Sequence, residues 1–502
     1  MNGQIRKVAA GLLACYLALF VRLNLLQIAD APDLNRRPDN GRAVERDFNR
    51  PRGDVVTADG KLVAHSDEVE GRFRYQRTYP TGELFAHVVG SYSFLFGSDG
   101  VERQYHDELA GRTAEFQLRG LADPFGDTPN VGTVVLTLRS DVQQAARNAL
   151  GERKGSVVAL DPRTGAILAL WSYPSYDPNV TASNDSISAR AFREALFANP
   201  DKPTLARTYR ERFFPGSTFK VVTAAAGLES EAVTPELPAY PRANSYTPPL
   251  TTKAIANFGG STCGGTLFDI LAVSCNSAFA RMGAETIGPD AMIAEAEDFG
   301  FGLVPPLDLP QGVRSVFPDG FGRRLRDGAE PGSAGVYENT PGLAQAAIGQ
   351  GNVSATPLQM ALVAAAVANG GTIMTPHVMS EIRDRGGEVM DRFGDRPWRE
   401  ATTASTATTM RAAMIGVVEN GTASALAIGG REVGGKTGTA QLGTSPPKSH
   451  AWIIAFAGDP GRPPEVVVSV IVEGQDGASE QTGGRVAAPI ARAVLEAALA
   501  GP

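Results

Sequence analysis

Residues that ligate metals are scarce in this chain. Three cysteines (Cys15, Cys263 and Cys275) and five histidines are scattered through 502 residues, with no Cys-x-x-Cys pair and no histidine cluster. That scarcity argues against a structural zinc or haem site. Basic stripes are missing as well: the net charge is −7 and no Lys/Arg-rich face stands out, which argues against a nucleic-acid binder. Neither an internal repeat nor a low-complexity segment occurs. With 43% hydrophobic and 20% charged residues the composition is that of a globular protein, and the length calls for two or three domains.

Long apolar runs are also absent, except at the start. Arg6 and Lys7 precede "VAAGLLACYLALFV", Val8 to Val21, which carries no charge. Apolar character resumes after Arg22 and Asn24 through Leu25, Leu26 and Ile28, giving about the length a tilted helix needs to span a bilayer. Arg22 can snorkel to the headgroups. The expectation is a short cytoplasmic N-terminus (1–7) and an uncleaved anchor (8–28). The alternative is a signal peptide cut at Ala29-Asp30-Ala31, although Pro32 restricts the backbone there. Either way the positive charges before the apolar run place the rest of the chain outside the cytoplasm. In such a compartment Cys263 and Cys275 can pair, closing a loop of about a dozen residues with a gain of roughly 3 kcal/mol. Two unpaired buried thiols remain the alternative, because sequence does not give their distance.

Residues 29 to about 50 are polar and read as a linker. "RPRGDVVTADGKLVA" (50–64) then holds a hairpin signal at Asp59-Gly60. "GTVVLTLRSDVQQAARNALGE" runs from a strand into a helix capped by Ser140. A mainly β, extended accessory region is expected over 29–150 and a second domain over 151–502. The second domain opens on two strands in "GSVVALDPRTGAILAL", joined by the turn 161–165. A helix-rich middle follows, then a loop-dominated stretch from Phe299 to Gly342. Three strands, "REVGGKTGTAQ", "HAWIIAFAG" and "EVVVSVIVEG", and a closing amphipathic helix end the chain. Strands at both ends of a helical insert imply one sheet whose halves lie far apart in sequence.

Three short stretches carry chemistry. In "FFPGSTFK", Pro215 and Gly216 break the chain before a helix and Ser217 stands at the junction, a usual helix cap. Where a capping box would place Glu or Gln stands Lys220. Ser217 and Lys220 share a helix face, so a desolvated Lys220 can take the hydroxyl proton and make Ser217 a nucleophile. A second Ser-x-x-Lys, Ser445 to Lys448, contains two prolines and cannot form that helix. "AVSCNSAFA" puts Ser274 and Asn276 in the break between two helical runs, where they read either as helix caps or as a proton relay and an amide anchor. "VGGKTGTAQ" puts Lys436, Thr437, Gly438 and Thr439 on a strand. There Lys436 can hold a carboxylate, Gly438 can admit a substrate backbone and exposed N–H groups can polarise a carbonyl; a surface β-turn is the plain alternative.

Together, Ser-x-x-Lys, Ser-x-Asn and Lys-Thr-Gly stand in the order shared by penicillin-binding proteins and serine β-lactamases, with Cys275 where some members have Asp. The chain resembles a class B penicillin-binding protein of the short actinobacterial type. "RGDVVTADGKLVA", "GVERQYHDELAG", "GSVVALDPRTGAILALWSYPSYDPN" and "AIGQGNVSATPLQMALVAAAVANGG" extend the likeness along most of the chain.

This resemblance implies an α+β transpeptidase domain, an antiparallel five-stranded sheet flanked by helices plus an all-helical subdomain. It also implies a pedestal-like or dimerisation-like accessory domain and a single-pass membrane anchor with the catalytic domain outside. The implied activity is a peptidoglycan D,D-transpeptidase blocked covalently by β-lactams. Ser217 would attack the D-Ala-D-Ala carbonyl with Lys220 as base, and Ser274 with Lys436 would pass the proton to the leaving D-Ala. The Ser217 and Thr439 N–H groups would form the oxyanion hole. Asn276 would bind the substrate amide, and Lys436 and Thr437 the carboxylate. Donor and acceptor stem peptides, β-lactams, a glycan polymerase of the SEDS type and other wall-synthesis proteins are the implied partners; no cofactor or metal is needed. Two rivals remain. A serine β-lactamase would need a deacylating Glu-x-x-Leu-Asn, which is not seen between Ser274 and Lys436. A non-catalytic scaffold would be expected to have lost Lys220 or Lys436, and a β-lactam sensor to carry more than the seven residues that precede Val8.

Overall fold

The computed structural model describes residues 2–26, 41–122, 130–328, 333–445, 448–474 and 482–501. The Ala29–Ala31 cleavage signal, the linker up to residue 40 and Pro446-Pro447 of the second Ser-x-x-Lys lie outside the described residues. Helix α1 (Asn2–Asn24) is exposed along nearly all its length, and its segment Gly3–Asn24 is long and apolar enough to cross a membrane.

The N-terminal sheet contains β1 (Val55–Val56), β2 (Leu62–Glu68), β3 (Tyr75–Thr78) and β4 (Thr133–Leu136). The expected hairpin forms: Gly60 takes φ 78° and the Thr57 hydroxyl accepts the Lys61 N–H at 2.9 Å. Beneath the sheet, Glu102 accepts from Arg52 (2.5 Å) and Arg77 (2.6 Å), all three buried. Burial opposes ionisation of Glu102, but the two guanidiniums hold its carboxyl below the ordinary range. Three chain segments are pinned by this triad.

Helix α2 (Ser140–Leu150) starts at Ser140 itself. The expected cap is not made, because the Ser140 hydroxyl turns to Asp59. Next come β5 (Gly155–Leu160), β6 (Ile167–Tyr173), α3 (Lys220–Glu229), α4 (Leu267–Ala272), α5 (Asn276–Arg281) and α6 (Pro357–Ala368). The hairpin β7 (Met379–Arg383) and β8 (Val389–Arg392) precedes α7 (Ala404–Asn420). Strands β9 (Glu432–Gln441), β10 (Ser449–Gly458) and β11 (Val466–Val472) and helix α8 (Ala488–Leu499) complete the chain.

An antiparallel five-stranded sheet runs β9-β10-β11-β5-β6, joining both ends of the domain as their distance in sequence implied. β11 is β-branched almost throughout and all seven of its residues are buried, since helices cover both faces. Helices α2 and α8 pack together against the sheet, and α6 packs on β10, β11 and β5. α6 is apolar apart from Gln359 and wholly buried, as such a helix must be. The two sheets exchange segments across the 150/151 division: α2 lies on the five-stranded sheet, while β7 and β8 extend the N-terminal sheet, ordered β8-β7-β4-β1-β2-β3.

Candidate active site

Ser217 is the second residue of a short 3₁₀ turn, Gly216–Phe219, that runs straight into α3. Its side chain caps nothing, so the cap reading does not hold. The turn is fixed on several sides. Gly216, at φ 54°, donates its N–H to the Gly349 carbonyl at 2.9 Å. The Thr218 hydroxyl donates to Pro215 O at 2.8 Å. Phe219 is fully buried, stacked on Phe317 and edge-on to Phe301. Ser217 itself stays half-buried at the wall of a cavity of about 830 Å³.

Lys220 opens α3 and is fully buried. Its Nζ donates to Ser274 O and to Asn276 Oδ1, both at 2.7 Å, and lies 3.3 Å from Ser274 Oγ. Burial, with the nearby Lys436 charge, pushes its pKa well below the ordinary lysine value. A neutral amine has two N–H donors and one lone pair; the two short bonds occupy the donors and leave the lone pair for a hydroxyl proton.

Ser274 stands in the break between α4 and α5, as expected, whereas Asn276 is already the first residue of α5. Ser274 takes φ 58°, a left-handed backbone uncommon outside glycine. Between them Cys275 is bonded to Cys263, with Cα atoms 5.8 Å apart. Asn276 does not cap α5; its Nδ2 donates to Ala256 O at 3.0 Å while its Oδ1 serves Lys220. The neighbouring Asn257 joins the same lobe, accepting the Ser277 N–H at 2.8 Å.

β9 is the free edge of its sheet and packs on the Ser217 turn. Thr437 and Thr439 line the cavity together with Ser217, Ser274 and Asn276. Lys436 is held differently from its neighbours. It is fully buried, does not line the cavity, and donates to Thr437 O at 3.0 Å, while burial pulls its pKa down to about 7. Gly438 has a packing role besides the one expected. A Cβ there would lie within 3.0 Å of Thr218, Trp452 and Pro215, so its bareness lets β9 press on the catalytic turn. Among the described residues no three His, Cys, Asp or Glu side chains gather as a metal site.

Comparisons with known proteins place the chain in a family. Residues 155–496 match the penicillin binding protein transpeptidase domain, and residues 52–135 match the penicillin binding protein A dimerisation domain. The chain belongs to the penicillin-binding protein transpeptidase family. Its curated relatives include the peptidoglycan D,D-transpeptidases PbpA of Mycolicibacterium smegmatis, 37% identical over 99% of both chains, and of Mycobacterium tuberculosis, 36% identical over 100% of both. Penicillin-binding protein A from M. tuberculosis, solved as its ceftriaxone acyl-enzyme complex, superposes with a TM-score of 0.80 at 35% identity, covering 91% of this chain and 100% of that one.

Within the penicillin-binding fold the sequence reading missed part of the wall. Thr422 hydrogen-bonds Thr437, hydroxyl to hydroxyl, at 2.6 Å. Ser424, Gln345, Thr482 and Arg485 also line the cavity. The one available signal was "TGGR" (482–485), a glycine pair leading into the last helix.

Proposed function

We propose that this chain is a membrane-anchored peptidoglycan D,D-transpeptidase working through an acyl-serine. The observation that carries the reading is Lys220: a buried, charge-disfavoured amine whose donors are taken by Ser274 and Asn276, one helical residue row from Ser217. Ser217 Oγ attacks the carbonyl between the two terminal D-Ala residues and its proton passes to the Lys220 lone pair. The Ser217 and Thr439 N–H groups receive the developing oxyanion at the start of the turn. The C–N bond then breaks. Ser274, with Oγ 3.3 Å from Lys220 Nζ, relays the proton to the departing D-Ala amine, and buried Lys436 supports the relay electrostatically. An amine of a neighbouring stem attacks the acyl-enzyme, forms the cross-link and frees Ser217. Asn276 binds the donor amide, and Thr437, Gly438 and Thr439 form the strand along which the donor lies.

A β-lactam enters the same path, opens its ring on Ser217 and stays. α1 supports a single-pass anchor that leaves the catalytic domain extracytoplasmic. A glycan polymerase of the SEDS type fits this arrangement as partner. The proposed division into accessory (29–150) and transpeptidase (151–502) domains is supported by family matches lying within each, at 52–135 and 155–496.

Mass spectrometry after benzylpenicillin treatment tests the proposal. The adduct is expected on the peptide containing Ser217 and absent from Ser217→Ala; an adduct that persists in that variant refutes the nucleophile. Rapid hydrolysis of the penicillin without accumulation of adduct would favour a β-lactamase instead.

A further inference from the structure

A D-Ala-D-Ala terminus and a penicillin both carry a carboxylate close to the reacting amide, and the cavity needs a positive partner for it. Lys436 is fully buried, and its ammonium donates to Thr437 O at 3.0 Å. Lys220 is committed to Ser274 and Asn276. Arg485, by contrast, lines the cavity and is exposed, and its guanidinium has no hydrogen bond or ion pair among the described residues.

Its position is dictated by the two glycines before it. A Cβ on Gly483 would sit 2.9 Å from Gly438 N, and one on Gly484 would sit 3.7 Å from Thr437 Cγ2. The segment is therefore pressed against the Lys-Thr-Gly strand, and the Arg485 N–H is turned back onto Thr482 O at 3.1 Å. Arg485, one residue on from Gly484, lines the same cavity as Thr422 and Thr437, whose hydroxyls meet at 2.6 Å. A guanidinium is a permanent cation whose planar fork matches a carboxylate, and hydroxyls complete the remaining lone pairs.

We propose that Arg485 binds the carboxylate of the donor D-Ala-D-Ala terminus and of β-lactams, with the Thr437 hydroxyl beside it. The inference rests on the acyl-serine reading of the same cavity. It makes Arg485 a specificity residue for anionic acyl donors, while Lys436 acts from within on the protons of the site.

The test compares benzylpenicillin with its methyl ester, using the full-length protein and its Arg485→Gln and Arg485→Lys variants. The readout is the second-order rate constant of Ser217 acylation, with thermal melting to verify folding. Loss of a charged hydrogen-bond partner should slow Arg485→Gln by about 10- to 100-fold with benzylpenicillin. With the ester the change should stay within about threefold, the range of a surface substitution. Arg485→Lys should recover part of the loss. Equal slowing with both compounds, or none with either, overturns the inference while leaving the acyl-serine reading intact. Failure of the unaltered protein to form a Ser217 adduct overturns that reading instead.

Discussion

Replacing both Cys263 and Cys275 by alanine removes a cross-link that lies directly in the site. The bond spans a sequence separation of 12. Loop-closure entropy for such a segment amounts to about 9.5 cal/mol/K, or about 3 kcal/mol at 25 °C, by which the bridged unfolded chain is disfavoured. The second effect is local. Ser274 at φ 58° occupies a conformation that costs an L-residue about 1–2 kcal/mol, and three bonds keep it there. These are the disulfide one residue on, the Cys275 N–H to Ile270 O at 2.8 Å, and Lys220 to Ser274 O at 2.7 Å. Without the first, relaxation of Ser274 pulls an acceptor from Lys220, and acylation should slow by about tenfold, the equivalent of about 1.4 kcal/mol. Urea unfolding followed by tryptophan fluorescence suits the first measurement, because Trp171 and Trp452 are buried in the same core as both cysteines. Penicillin acylation kinetics provide the second. A stability loss below about 1 kcal/mol would refute the loop-closure argument. Unchanged acylation would refute the claim that the cross-link holds Ser274 ready.

Other perturbations test separate parts of the account. Lys220→Arg should abolish acylation, because a guanidinium cannot accept the Ser217 proton at neutral pH; near-normal labelling would exclude Lys220 as the base. Lys436→Gln removes a positive neighbour that, after burial, lowers the Lys220 pKa. That pKa should then rise toward the ordinary value, and the acid limb of the acylation pH profile should move to higher pH. A limb that stays put or moves down contradicts the coupling. Glu102→Gln leaves Arg52 and Arg77 buried against a neutral amide and should cost about 3–5 kcal/mol of stability in urea unfolding. A loss under about 1 kcal/mol would show that the triad does not hold the accessory sheet.

How much was legible depended on how local each requirement is. Ser217, Lys220, Ser274, Asn276 and the 436–439 run could be found because each short stretch needs only a turn, a helix start or a strand, which neighbouring residues specify. The Pro215-Gly216 break, the Val-rich β11 and the apolar α6 were readable for the same reason. Long-range choices were not. Lys220 shares a helix face with Ser217, yet its hydrogen bonds go to residues 54 and 56 positions later, and no periodicity announces that. The β7–β8 hairpin carries an ordinary strand pattern, and nothing in it declares that it pairs with β4 in the N-terminal sheet.

Lys436 shows what pattern reading leaves out, for a physical reason. Alternation along a strand gives the side a residue faces, but not what covers that side, and here the covering buries the ammonium completely. Burial brings the pKa of Lys436 down to about 7, so that it can gain or lose a proton near neutral pH. The permanent cation at the cavity wall comes instead from Arg485, after two glycines that let the chain lie against β9. The same logic applies to Ser217. Its place in a helix-start motif suggested a cap, but its hydroxyl is left without a backbone partner and the fourth position carries a base rather than an acid. A residue that forgoes the stabilising bond its position offers, beside an amine whose charged form burial disfavours, is arranged for reaction rather than for holding the helix.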